Sequence, residues 1–396
     1  MSQNQNVFLL DAGGTFLKGA VMRAEGLSPV KREGMPPFTE FEPGAKEIDP
    51  EDIASRLERL ILKMSYEFGP PTSLRLTGQM GGLILLDLDG RPLTNIRSWQ
   101  DTRTHHSKPN TPSTWEVFRN DYLSDFFQVS GNDIKPSTTV VQLLNQLSIN
   151  QLNEQFRPLT LLGYLANYLA GTLDRPTVHI SDAAATGMYD IFGEEFNFDA
   201  IGRLTKFSVM PQVQSSYVPI DIGAKSSLPV MVGVGDQQAS LFGVDLSADS
   251  IVVNIGTGGQ VASLIPEPSN YSTNAIQIRP YFFGSKISTI THLPAGRITS
   301  RLVSKLFGSE TPNSFADFFA QSDSSGDVIS INLEDINLKE LAATESDSEI
   351  VARSFLHEMV KRYESEIKLL DPTGEKRMIF AGGLGQKFSQ FSDALA

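Results

Sequence analysis

The chain contains no cysteine. Disulfides, thiolate nucleophiles and cysteine-based zinc sites are therefore excluded, and such a composition suits a cytosolic setting. Blocks of lysine and arginine are also missing: 33 basic residues against 46 acidic ones leave a formal charge of -13, spread along the sequence. That argues against a surface built to track nucleic-acid phosphates and favours a small-molecule substrate. No apolar run is long enough to span a membrane, and the polar start MSQNQN, whose first apolar run is cut short by Asp11, opens no signal peptide. The expected location is cytoplasmic, with no nucleic acid and no membrane as partner. Neither GxxxxGK[ST] nor GxGxxG occurs, which removes the P-loop and dinucleotide architectures.

What is present begins with size. With 396 residues and 40% hydrophobic content the chain can bury more than one core, so two domains are expected. Residues 7–10 form a short apolar run that ends in Gly13-Gly14, and residues 17–22 resume the run, which predicts strand, tight turn, strand. Residues 251–255, the turn Gly256-Thr257-Gly258-Gly259 and residues 260–265 repeat that order, with Asn254 standing where Asp11 stands. The expected architecture is a pseudo-duplicated α/β protein. Helical periodicity runs through residues 52–64, 159–169 and 350–370, the last broken by Asp371-Pro372-Thr373-Gly374. A strand over 377–381, the turn Gly382-Gly383 and a helix over 386–395 follow. The break between lobes is placed near residues 244–250.

A phosphate chain needs convergent backbone N–H donors, and glycine turns supply them because no side chain blocks the approach. In DAGGTFLK, Asp11 has the chemistry to hold a hydrated Mg²⁺, Thr15 offers a hydroxyl and Lys18 balances charge. Either hairpin alone also reads as an ordinary turn, and it is their pairing that favours phosphate. Transfer to an alcohol needs a carboxylate beside the attacking hydroxyl, and Asp236 in MVGVGDQQASLFG, between a strand and a helix, is the candidate. An aspartate there also caps a helix, and the two roles are compatible. Trp99, Gln100, Asp101 and Arg103 bring together an indole face and polar groups suited to a polyol; the alternative is a buried tryptophan with a surface ion pair. His105 and His106 lack ligand spacing and are read as solvent-facing.

Taken in order, DAGGTFLK, TGQMGGLILLDLDGRPL, SWQDTR, ISDAAATGMYDI, GVGDQQASLFG, NIGTGGQVA and FAGGLGQKFSQFSDAL resemble the FGGY carbohydrate kinases, of the actin/hexokinase/chaperone ATPase superfamily, nearly end to end. The resemblance implies a two-lobed actin/hexokinase-like fold of two ribonuclease H-like domains around a cleft, divided as 1–245 and 246–396. It implies ATP and Mg²⁺ as cofactors, Asp236 as general base, and Asp11 as the residue that positions Mg²⁺ through water. Gly13, Gly14, Thr15 and Lys18, then Gly256, Thr257 and Gly258, match the two phosphate hairpins. Gly382, Gly383 and Gln386 match the adenosine site, and Gln79, Met80, Trp99 and Asp101, with Asp236, the sugar-facing residues. SWQDTR, GDQQAS and IRPYFFGSKISTITHLPAG look most like sedoheptulokinases, xylulokinases next.

The expected activity is therefore transfer of phosphate from ATP to a terminal hydroxyl of a ketose. Sedoheptulose comes first, with xylulose or another pentulose or polyol as the alternative. Two departures stand out. Gly81 replaces a histidine common in the family, and the chain ends at Ala396, where members usually continue with a further helical segment, so the second lobe is read as shortened. Those departures motivate a reading from another class, a sugar- or nucleotide-sensing pseudokinase. An actin- or chaperone-like ATPase sharing the hairpins is a third. The shortened helix is read as either leaving apolar surface exposed or having it covered by a homo-oligomer contact, such as a homodimer.

Overall fold

A computed structural model describes residues 5–107, 109–131, 133–150, 152–215, 220, 227–256, 258–265, 276–308, 310–322, 326–333, 348–387 and 389–395. The chain divides into two compact units, Met1–Ser240 with Arg279–Ser285, and Leu241–Ile278 with Lys286–Ala396. The sequence reading made a single cut at 245/246; the structure differs by a few residues there and by the return of Arg279–Ser285 to the first unit.

The first unit is built on the strand Val7–Ala12, which turns back antiparallel into Phe16–Arg23 and on its other side pairs parallel with Ser73–Gly78. Ser73–Gly78 in turn pairs parallel with the short strand Val234–Gly235. Between these strands the helix Pro50–Phe68 starts earlier than periodicity suggested. Asp49 accepts the N–H groups of Glu51 and Asp52, and Pro50 occupies a position where no donor is needed. Its stripe Ile53, Leu57, Leu60 and Met64 is buried with Phe8, Leu10, Leu17 and Val21 of the hairpin. Leu161–Ala170 is the second helix foreseen, capped by Thr160 and closed by Gly171 in the left-handed region.

The second unit repeats the plan. Ser250–Ile255 turns antiparallel into Gly259–Ile265 and pairs parallel with Arg377–Ala381. Lys286–Leu293 extends the sheet on the hairpin side, followed by the strand Gln277–Pro280, of which Gln277 and Ile278 belong to this unit. Ile251, Val253, Ile255 and Val261 meet Leu302, Phe318, Phe355 and Met359 from the helices in one apolar core. Where a helix was expected over 386–395, the described residues are helical in Gly383–Lys387 and in a second piece, Ser389–Leu395. The second piece buries Phe391 and Leu395, and the Phe391 ring meets Tyr363 edge-on at 5.0 Å between centroids. Those two apolar side chains are thus covered within the unit. Among the described residues no helix is long and apolar enough to cross a membrane.

Candidate active site

Three parallel strands of the first unit finish together. Ala12 pairs with Gly78 and Gly78 with Gly235, so the residues that follow, Gly13, Gln79 and Asp236, stand side by side at the carboxyl end of the sheet. Ligands of open α/β sheets gather at that end, where side chains and loop amides are free of ladder bonds. Gln79 is tied into the row by its own backbone, which donates to the Ala12 carbonyl at 3.0 Å.

Asp11 and Lys18 face each other across the first hairpin and join at 2.9 Å between Oδ2 and Nζ. Both remain partly open to water. The bend closes through the Gly13 N–H, which donates to the Phe16 carbonyl at 3.2 Å. That donor is spent. Gly14 and Thr15, exposed at the tip, are left as the groups this turn offers. A side chain on Gly14 would come within 3.8 Å of Gln79 Oε1 and 3.9 Å of Gln100 Nε2, so two amides flank the bend.

Asp236 opens the helix Asp236–Gly243, and its Oδ1 accepts the Gln237 N–H at 2.8 Å. This bond to the next residue is not the cap foreseen from sequence, which would take an N–H two or three residues on, and the carboxylate is open to solvent. Protein crowds it on most sides, and that loss of hydration pushes its pKa up to about 6. The Gln237 N–H opposes the rise, the Asp11 charge adds to it, and the Arg279 guanidinium also opposes it. Contact with water limits the size of this rise but not its direction. The strand before Asp236 is fastened from behind: the Gly235 N–H donates to Ser181 Oγ at 3.0 Å, and that hydroxyl lies 2.8 Å from His179 Nδ1. Burial pushes His179 down to about 4, so the ring is neutral near pH 7. A Cβ on Gly235 would collide with the Met80 sulfur and Gln238 Oε1, which is how Met80 comes to pack against this strand.

The indole of Trp99 is partly exposed and donates through Nε1 to Gln79 Oε1 at 2.8 Å. Asp101 is a correction. Its side chain is 0% exposed and both oxygens are engaged: Oδ2 takes the Lys46 N–H at 3.0 Å and Arg103 Nη2 at 2.7 Å, Oδ1 the Arg103 N–H at 3.1 Å. Arg103 also reaches Glu47 at 2.6 Å. The alternative reading, a buried tryptophan with a surface ion pair, does not hold either: the ion pair is buried and the tryptophan is partly open. Asp101 braces the loop that carries Trp99 and presents nothing to a ligand.

In the second unit the Gly256 N–H donates to the Gly258 carbonyl at 3.1 Å, and Gly256 in turn accepts the Gly296 N–H at 3.0 Å. The bend is self-closed there, as at Gly13. Asn254 stands opposite Ala381 in the ladder, which brings Gly382 and Gly383 beside this hairpin. Gly382 has φ +86, and a Cβ there would lie 2.5 Å from Asn254 Oδ1 and from the Ile255 backbone. Only glycine fits. Thr257 and the side chain of Gln386 lie outside the described residues. Three functional candidates escaped the sequence reading: Arg279, Ser181 and His179. Ser181 and Arg279 sit in stretches that carried the family likeness and His179 directly before one, and nothing local singled them out.

Mg²⁺ prefers hard oxygens and keeps much of its water, taking one or two carboxylates beside substrate phosphates. The two carboxylates Asp11 and Asp236, close enough for the charge of one to act on the other, fit that demand. Among the described residues no group of three or more metal-binding side chains stands together.

Residues 7–243 match the profile of the N-terminal domain of the FGGY family of carbohydrate kinases. Over 246 residues the chain is 25% identical to a xylulose kinase of Staphylococcus xylosus, covering 58% of this chain and 49% of that protein. Over 276 residues it is 28% identical to a glycerol kinase of Koribacter versatilis (strain Ellin345), covering 64% and 53%. The matches thus span about half the length of these relatives. The ligand-bound xylulose kinase of Lactobacillus acidophilus superposes with a TM-score of 0.79 at 17% identity, over 97% of this chain and 83% of that one. A likeness of that kind speaks for the fold, a two-unit ATPase fold of the actin/hexokinase type.

Proposed function

The chain belongs to the FGGY family of carbohydrate kinases, and from that premise we propose that it moves the γ-phosphoryl group of ATP onto a terminal hydroxyl of a ketose. The observation that carries the reading is the row formed by Gly13, Gln79 and Asp236 at one sheet end, with Asp11 and Lys18 alongside. In the proposed reaction the acceptor oxygen attacks the γ-phosphorus in line, its proton passes to the Asp236 carboxylate, and ADP leaves with the bridging oxygen. A carboxylate whose pKa is raised but stays below 7 is ionised at pH 7 and more basic than an ordinary aspartate, which suits it to take that proton. Gly14 and Thr15 are assigned to the phosphates, with Lys18 countering their charge. Bound Mg²⁺, held by Asp11 through water, would neutralise charge on the phosphate oxygens. In the second unit, the Gly256–Gly258 bend is assigned to phosphate, and Gly382, Gly383 and Gln386 to adenosine.

For the sugar, Trp99 and Gln79 are the proposed contacts, the indole stacking on C–H faces while the amide pairs with hydroxyls. Met80 supplies apolar contact at their side. A Cβ at Gly81 would meet Trp99 Cβ only at 3.7 Å, so the missing histidine leaves space beside the indole. That space favours a longer acceptor, and sedoheptulose is the first proposed substrate. Xylulose is the second reading, favoured by the likeness to xylulose kinases. The proposed location is cytoplasmic.

ADP release with Mg-ATP against sedoheptulose, xylulose, glycerol and no sugar tests the proposal. Sugar-dependent release is the predicted result. Silence with every acceptor would point to a sensor, and release without sugar to a plain ATPase; either would overturn the kinase reading.

A further inference from the structure

The strand Lys31–Gly34 runs beside Phe16–Arg23, and where it ends the chain crosses the tip of the first hairpin: the Met35 N–H donates to the Thr15 carbonyl at 3.1 Å. Farther on, the same segment is clamped to the loop that carries Trp99. The Lys46 N–H donates to Asp101 Oδ2 at 3.0 Å, and the Lys46 carbonyl accepts the Ser98 N–H at 2.9 Å. The Lys46 backbone is thereby fixed on both sides, and its half-buried side chain starts from a rigid base.

The carboxylates around Lys46 are committed to other cations. Arg103 takes Asp101 at 2.7 Å, Glu47 at 2.6 Å and Glu42 at 3.2 Å, and Arg97 lies 3.9 Å from Glu47. Among the described residues no carboxylate comes within ion-pair distance of the Lys46 ammonium. Its partners are the Gln100 side chain, whose Oε1 accepts from Nζ at 3.5 Å, and the Phe38 ring, whose centroid is 5.3 Å away. An ammonium carries three donors and a full charge, and one long bond to an amide with one aromatic face leaves most of that unmatched.

Gln100 shows where this charge lies. Its Nε2 is 3.9 Å from the point where a side chain on Gly14 would begin, so one amide spans from the hairpin tip to the ammonium. The tip has a second cation in Lys18, but Asp11 holds that one at 2.9 Å. A phosphoryl group seated at Gly14 and Thr15 therefore meets in Lys46 a cation without an acidic partner.

Resting on the kinase reading, we propose that Lys46 is a catalytic residue for phosphoryl transfer: its ammonium, steered by Gln100, donates to the oxygens of the γ-phosphoryl group at Gly14 and Thr15 and stays with that group as it passes to the sugar. The lysine keeps its protons and forms no covalent bond. Charge on the phosphoryl oxygens is then met by a cation set in place beforehand, which needs no reorganisation during the reaction. A diphosphate lacks this group, so Lys46 distinguishes ATP from ADP.

The test uses the full chain with Lys46→Met, which keeps an unbranched stem, and Lys46→Arg, which keeps the charge. Calorimetry with Mg²⁺ and the non-transferable β,γ-methylene analogue of ATP should show affinity about tenfold lower in Lys46→Met and largely restored in Lys46→Arg, while MgADP affinity stays within about twofold of wild type. The ADP arm reports that the fold is intact. Neither arm needs turnover, so the result stands even if no sugar proves to be a substrate. With a ketose that is turned over, kcat should fall by about tenfold or more at unchanged sugar KM. Equal losses for the analogue and for ADP would mean a structural role and overturn the proposal, as would an unchanged analogue affinity. A defect confined to the sugar KM would place Lys46 on the acceptor, with the same consequence.

Discussion

Asp182 offers the sharpest test of how the first unit is held together. Its carboxyl group is 1% exposed and borders an apolar cavity of about 10 Å³, lined by Val178, Met188, Phe196 and Met210 among others. Oδ2 takes the Thr160 hydroxyl at 2.6 Å, while Oδ1 has no protein partner. Burial pushes the group from 3.8 up to about 7, against the pull of Thr160 and the Gly163 N–H. The folded state therefore binds this proton more tightly than the unfolded chain. Its full contribution to stability is present below pH 3.8, falls as the unfolded state ionises, and is lost once pH passes about 7. Three pH units correspond to a total on the order of 4 kcal/mol, of which roughly 2–3 kcal/mol falls between pH 5 and pH 8. Asp182→Asn keeps an acceptor for Thr160 and removes the titration. Both tryptophans, Trp99 and Trp115, lie in the first unit, so urea unfolding followed by their fluorescence reads this unit alone. The variant should gain on the wild type by roughly 2–3 kcal/mol between pH 5 and pH 8. A difference that does not change with pH would refute the reasoning.

Two further substitutions probe the braces around the site. Asp101→Ala strands Arg103 beside Glu47 in a buried place and should cost about 3–5 kcal/mol in the same fluorescence titration; a change in KM without loss of stability would instead return Asp101 to the sugar. Gly382→Ala forces a side chain into Asn254 and Ile255 at positive φ and should destabilise the second unit by about 1–3 kcal/mol. Amide exchange along Arg377–Ala381 should speed up accordingly, and unaltered protection there would show that the turn has room to relax.

The glycine hairpins and the strand before Gly382 were legible because their signals are local: an apolar run, a glycine turn, a second run. Register explains why both read alike, since Asp11 opposite Lys18 and Asn254 opposite Gln260 occupy equivalent places. Helix interiors were legible too, but not their starts; Pro50–Phe68 begins where Asp49 caps it, and a cap carries no periodicity. What the sequence hid was decided by distant partners. Asp101 looks the same whether it faces sugar or is locked by Arg103 and the Lys46 backbone, 55 residues away. Arg279 comes to the Asp236 turn only through Gln238, which binds Pro280 across 42 residues. Asp182 lies in an alanine-rich run whose cavity is closed only with the help of distant segments.

The central claim is that Asp236 takes the proton from the acceptor hydroxyl. Asp236→Asn keeps the size of the side chain and removes the base, so sugar-dependent ADP production should fall by roughly 10²–10⁴-fold while ATP binding by calorimetry stays near the wild-type value. Turnover within a few-fold of wild type, with binding intact, would contradict the account.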